Sequence, residues 1–127
     1  LPAGETCDEF LTSLEVFPTL CAAGRAKKPK GVKLDGFDMT PVLQGKKKSK
    51  RTEMFWQRRL DKAARVGHWK WVESGRGTGL FDLRKDLSEK KDFSAECPEI
   101  LKKLKDRFAN WKKEMAVAEP RGPFRDY

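Results

Sequence analysis

Few side chains in this chain are of a kind that moves protons, attacks a substrate or holds a metal. Among its 127 residues there are one histidine, His68, and three cysteines, Cys7, Cys21 and Cys97. A catalytic site needs such groups to converge. His68 has no nucleophile near it in sequence and reads as a strand residue beside Trp69, a rim or partly buried ring before an acid–base group. The cysteines are odd in number, lack Cys-x-x-Cys spacing and have a single histidine to share, which excludes a zinc frame. They allow either one disulfide with a free thiol or three buried thiols. Asp35 and Asp38 look at first like calcium ligands, but Met39, Thr40, Pro41 and Val42 do not continue the alternation of oxygen ligands such a loop needs. A turn fits better. Asp82, Asp86, Ser88 and Glu89 are of the types that cap turns and local backbone N–H groups. No catalytic residue and no metal-ligand set is assigned within the chain.

The elements that would carry these groups follow from pattern. Phe10, Leu11, Leu14, Phe17, Leu20 and Cys21 have helical spacing. Pro18 belongs in a first turn, so the helix is predicted from Leu14 or Glu15 to Gly24. Residues 25–36 form a Lys-, Pro- and Gly-rich loop, and Phe37 to Leu43 hold one helical turn closed by Gly45. Residues 53–60 suit a strand. Residues 64–73 suit a better one, with Arg65, Gly67, Trp69 and Trp71 on one face and Val66, His68, Lys70 and Val72 on the other. Ser74 to Gly77 make a hairpin turn, and Gly79 to Leu83 return. From Pro98 to about Ala116, Leu101, Leu104, Phe108, Trp111 and Met115 form one apolar helical stripe, with Cys97 at the cap. Pro120 to Pro123 then lead into a tail, Phe124 to Tyr127. The class is α+β: a small antiparallel sheet of three or four strands packed by a C-terminal helix, preceded by one helix and a long basic loop.

The bulk numbers bound the rest. Hydrophobic residues make up 38% and charged residues 37%, low for a self-contained fold, so the four Trp and eight Phe must supply much of the buried area. No apolar run approaches the ~20 residues of a membrane helix. The net charge is +9, and from Lys27 to Arg51 nine Lys or Arg face two Asp. Such a run attracts nucleic acid, a sulfated polysaccharide or a membrane surface. It lacks interleaved aromatics and reads first as a solvated loop. The start at Leu1, with neither Met nor signal sequence, suggests a processed or excised piece of a longer protein.

Several segments, in order, resemble the C-terminal part of the sulfatase family. Pro2-Ala3-Gly4-Glu5-Thr6 followed by Leu14 to Leu20 looks like the end of that family's catalytic domain, including its helix carrying Asp-x-x-Pro-Thr. Leu34-Asp35-Gly36 with Pro41-Val42-Leu43-Gln44-Gly45 resembles its Leu-Asp-Gly…Pro-x-Leu-x-Gly connector. Phe55-Trp56, Arg65-Val66-Gly67-His68-Trp69-Lys70, Leu80-Phe81-Asp82-Leu83 and Asp86-Leu87-Ser88-Glu89 match strands and a corner of its C-terminal subdomain, and Pro98-Glu99-Ile100 with Trp111 its closing helix. Glu15 stands where Asp is usual, Leu87 where proline is, and Asp92-Phe93 where Asn-Leu is. Cys21-Ala22-Ala23-Gly24-Arg25 shares the outer letters of the family's nucleophile motif, Cys-x-Pro-x-Arg, but Ala23 replaces the proline and the segment lies at a helix end. It is not the nucleophile.

The resemblance implies the C-terminal part of an alkaline-phosphatase-like sulfatase fold. Residues 1–45 would end the catalytic domain and its connector, 46–52 would be a basic, flexible linker, and 53–127 would be the C-terminal subdomain. It implies an arylsulfatase-type parent that hydrolyses a sulfate ester with formylglycine and a calcium ion, their residues lying outside this chain. The chain alone would be inactive. Trp56, Arg58, Arg65 and His68 are the candidates for a substrate rim. The implied partners are the upstream catalytic domain and a sulfate-ester substrate, with no nucleic acid and no membrane span. The implied location is periplasmic, secreted or lysosomal. Without that upstream domain, Phe10, Leu14 and Phe17 are expected to lie exposed. The other reading is a free-standing basic module that binds nucleic acid or sulfated glycan.

Overall fold

In the computed structural model, which describes residues 3–117, the chain divides into two units, Leu1–Thr52 and Glu53–Tyr127. The first helical segment of the first unit is opened by Thr12, whose backbone is extended. Its hydroxyl accepts from the Leu14 N–H (3.3 Å), while its own N–H donates to the Glu15 carboxylate (2.6 Å). This reciprocal cap satisfies two donors that a helix start leaves open. A 3-10 turn, Ser13–Glu15, runs into α1, Val16–Ala23, with Pro18 buried in the first turn where its missing N–H costs nothing. One further short helix, α2, spans Thr40–Leu43.

A buried carboxylate holds these pieces together. Glu15 is fully buried. Beyond Thr12, it accepts from Arg51 Nε (2.9 Å) and from Arg51 Nη2, which also donates to the Asp35 carbonyl (2.9 Å). Burial pushes the Glu15 pKa up, but the hydrogen bonds from Arg51 and Thr12 overcome it and hold the group below its ordinary value. Thr19 donates to the Glu15 carbonyl (2.6 Å) and accepts from the Met39 N–H (2.9 Å), tying α1 to the start of α2. Gly36 lies so close to the Leu14 carbonyl that a Cβ there would collide with backbone. Within residues 46–52, Ser49 and Arg51 are tied to other residues of the first unit. The Ser49 N–H donates to Glu9 (2.8 Å), its hydroxyl donates to the Phe10 carbonyl (2.6 Å), and Arg51 reaches Glu15. Leu14 and Phe17 are exposed, as are Val16 and Leu20, whereas Phe10 is half-buried.

The second unit is an antiparallel meander of four strands, β1 Glu53–Arg58, β2 Asp61–Val66, β3 Trp69–Ser74 and β4 Gly77–Asp82, in the order β1-β2-β3-β4, followed by α3, Pro98–Ala116. The class is α+β, as expected. The predicted strand over 64–73 is in fact two strands. The chain reverses at Gly67-His68, and Val66 pairs with Trp69. Gly67 has φ +59°, which glycine adopts without cost and a tight hairpin turn demands. Arg65 and Trp71 therefore fall on opposite faces, not on one. β1 also ends early, at Arg58, because the chain turns at Arg59 and Leu60.

Register places Phe55, Ala64, Trp71 and Leu80 in one row across the sheet. Ala64, Trp71 and Leu80 make the core with Leu104 and Phe108 of α3. Phe108 meets Trp71 edge-on (5.5 Å between centroids, 78°), and Phe55 stacks on Trp111 (5.6 Å, 24°). Each such side chain removed from water stabilises by about 1.5–3 kcal/mol, which is why the stripe on α3 docks on its own sheet. Met115, at the stripe's end, is 41% exposed. Cys97 precedes Pro98 but makes no side-chain cap. The free edge of β4 is covered at Leu80, whose N–H donates to Asp92 (2.9 Å) and whose carbonyl accepts from Phe93 (2.8 Å). All three cysteines are free thiols, and none is buried. The tail expected after Glu119 lies outside the described residues.

Candidate functional site

Alternation along the strands gives the sheet a second face, turned away from α3. Residues paired across an antiparallel ladder share a face. One row on that face is Met54, Arg65, Lys70 and Phe81, and the next is Trp56, Ala63, Val72 and Gly79. Arg58 and Asp61 pair beyond them, at the β1–β2 turn. Three of the four sequence candidates, Trp56, Arg58 and Arg65, thus meet on one surface. From Met54, the partner of Arg65, to Arg58 is four strand residues, about 13 Å. Trp56 stands between, 42% exposed, above the small side chain of Ala63.

The electrostatics of the face are set by its cations. Arg65 and Lys70 sit directly opposite, an arrangement that costs energy unless an anion attends. Glu89 supplies it for Lys70 through an ion pair. Arg65 Nε donates to the Gly67 carbonyl (3.0 Å), and burial draws its pKa down from the ordinary arginine value. An exposed indole with guanidinium forks on either side can stack on a flat ring and hold an oxyanion such as a sulfate.

His68, the fourth candidate, is set apart in the β2–β3 turn. Its ring packs beside Trp69 (5.4 Å), and its carbonyl accepts from the Leu83 N–H (2.9 Å). Asp82 is buried and caps the turn that follows β4: it accepts from the Arg84 N–H (3.1 Å) and pairs with the Arg84 guanidinium (3.0 Å). Asp86 accepts from the N–H groups of Lys90 and Lys91 (2.6 and 2.8 Å). Glu89 does not cap; it serves Lys70. Asp38 accepts from the Thr40 N–H (2.9 Å), a turn contact. Among the described residues, no three His, Cys, Asp or Glu side chains come together to hold a metal ion. Lys70 with Glu89 was missed as a pair. They lie 19 positions apart, each at the end of a separate segment, Arg65 to Lys70 and Asp86 to Glu89, with no spacing that links the two.

Asp82 carries a pH prediction. Arg84 beside it lowers its pKa from 3.8 to about 2. Because the folded value is the depressed one, its stabilisation is complete above about pH 4 and is lost as pH falls through 2. Asp82→Asn removes that dependence. Thermal melts between pH 5 and pH 2 are expected to converge for variant and wild type toward the acid end; a constant gap would show that Asp82 contributes nothing through its charge.

No protein-family model matches this chain, and no curated protein does. Solved structures do. Ps i-CgsB, a carrageenan sulfatase, superposes with a TM-score of 0.73 at 26% identity over 87% of this chain. Its crystal in complex with k-i-k-neocarrahexaose gives 0.72, again at 26% identity and over 87% of the chain. This is a sulfatase-like domain. A glycosaminoglycan sulfatase from Bacteroides thetaiotaomicron, at 23% identity and a TM-score of 0.62 over 78% of this chain, shares the fold. The chain spans about a quarter of each of these proteins: 26%, 26% and 24% of their lengths. The likeness does not favour a free-standing basic module. No helix among the described residues of the sulfatase-like domain is long and apolar enough to cross a membrane.

Proposed function

We propose that this chain is the C-terminal segment of a sulfuric ester hydrolase, covering the catalytic domain and lining the substrate cleft without being catalytic alone. The observation that carries the reading is the α3-free sheet face. It offers an aromatic platform, Trp56, between two arginines, Arg58 and Arg65, suited to a ring bearing a sulfate, in a fold shared with sulfatases. The exposed row Leu14, Val16, Phe17 and Leu20 of the first unit is the surface the catalytic domain would cover. On this reading the enzyme is of the formylglycine-dependent, arylsulfatase type. Its nucleophile, calcium ion and the ion's ligands would belong to the preceding domain, as the sulfatase resemblance implies. The partner is that domain, the substrate a sulfate ester, and the location periplasmic, secreted or lysosomal.

The test compares this chain alone with the longer protein, each given an aryl sulfate and calcium. Turnover by the longer protein only is expected; turnover by the chain alone overturns the division of roles. Within the longer protein, Trp56→Ala and Arg58→Gln are expected to raise KM by about 3- to 10-fold while leaving kcat nearly unchanged, as loss of a stacking or charge contact to bound substrate does. Unchanged kinetics in both variants would remove Trp56 and Arg58 from the rim.

A further inference from the structure

Eight cationic side chains among the described residues, Lys48 and Arg51 in the first unit and six in the second, pair with a carboxylate. Lys46, Lys47 and Lys48 border an 880 Å³ depression that Glu5, Asp8 and Glu9 also line, and Lys48 is paired with Glu9 at 2.9 Å. In the second unit, Lys62, Lys70, Arg84, Lys91, Lys102 and Arg107 all have carboxylate partners. The loop after α1 stands out for cations crowded together without an acid between them. Between Gly24 and Leu34 stand Arg25, Lys27, Lys28, Lys30 and Lys33, with no acid among them. All five are exposed on backbone without helix or strand. Asp38, whose pKa is lowered first by hydrogen bonds with Thr40, also feels the charge of Lys28. A loop needed only for solubility gains more from mixed signs than from five like charges that repel one another.

We infer that the loop over residues 25–33 is a contact surface for a polyanionic sulfated polysaccharide. The inference rests on the reading of the chain as part of a sulfate-ester hydrolase and narrows its substrate class from small aryl sulfates to polymers. Lysines on a loop of irregular backbone suit an anion repeated along a flexible chain, because each ammonium acts as a point charge that needs no fixed angle. The loop contains no aromatic side chain on which a base could stack, nor an element to enter a groove, so nucleic acid is the poorer fit. The solved relative with a bound carrageenan oligosaccharide is similar across 87% of this chain.

The experiment titrates the 127-residue chain with iota-carrageenan at several salt concentrations. Two variants of equal net charge are compared: Lys27, Lys28, Lys30 and Lys33 all to Gln, and Lys85, Lys103, Lys112 and Lys113 all to Gln, the second set being exposed lysines of the other unit. Counterion release predicts that wild-type binding weakens on the order of 10²-fold between 50 and 200 mM salt, and that the loop variant loses most of that slope while the charge-matched variant keeps it. Equal losses in both variants would reduce the effect to net charge and overturn the inference. So would the absence of binding to carrageenan at 50 mM salt, unchanged binding by the loop variant, or tighter binding to duplex DNA than to carrageenan. The underlying reading fails separately, if the longer protein releases no sulfate from any ester offered to it.

Discussion

Glu15→Ala is expected to destabilise the first unit by about 3–5 kcal/mol, the cost of breaking a buried ion pair from one side. The Arg51 side chain is 10% exposed and the Glu15 side chain 0%. The variant therefore leaves a guanidinium out of water without its carboxylate, and it frees the Thr12 N–H that the carboxylate had capped. Arg51→Ala is expected to cost as much, by stranding the carboxylate. The double variant costs less than the sum, because the second substitution removes the group the first left unpaired. All four tryptophans lie in the second unit, so their fluorescence does not follow this event. Amide exchange does: the α1 amides should lose protection on the order of 10²–10³-fold, at 1.4 kcal/mol per decade. A loss below tenfold in either single variant would mean that water reaches the pair and that the hub does not organise the unit.

That hub explains why some of the fold was legible in the sequence and some was not. Pro18 in a first turn and the stripe on α3 are local patterns, and the helices stand within a residue or two of where those patterns put them. Glu15-x-x-Pro18-Thr19 and Leu34-Asp35-Gly36 were visible as landmarks. What makes them landmarks was hidden, because the partner of Glu15 is Arg51, 36 residues away inside a lysine-rich run. A run of cations looks solvated until one of them is needed by a buried acid. The β2–β3 reversal was lost for a different reason. A two-residue turn shifts the alternation by one position, from Ala64 and Val66 to Trp69 and Trp71, and a single such shift is easily read through as one strand; the positive φ at Gly67 marks the turn. In the candidate site, Trp56 and Arg58 share a face by simple alternation. Arg65 joins them only through the ladder register, which no single strand reveals.

Phe108→Ala should cost the second unit about 3–5 kcal/mol, the range for a buried aromatic truncated to a methyl. Its ring is 4% exposed and lies 5.5 Å from Trp71, 5.4 Å from Trp111 and 6.5 Å from Phe55. Three rigid rings cannot collapse into the void as flexible side chains would, which places the cost toward the upper part of that range. A domain's net stability is only about 5–15 kcal/mol, so such a loss leaves little in reserve. Urea unfolding followed by tryptophan fluorescence measures it directly, because every tryptophan is in this unit. Phe108→Leu should recover a large part. The functional consequence runs through β1, which is anchored to α3 by the Phe55–Trp111 stack and by the Glu53–Arg107 ion pair. If Phe108 is removed, the stack loses its shared neighbour and β1, an edge strand, is freed to fray. Trp56 and Arg58 then lose the fixed spacing that a sulfate-bearing ring would read. The longer protein carrying Phe108→Ala is therefore expected to show a raised KM at temperatures where the domain is still folded. A destabilised variant with unchanged KM would separate the α3 packing from the sheet face and leave the rim to other residues.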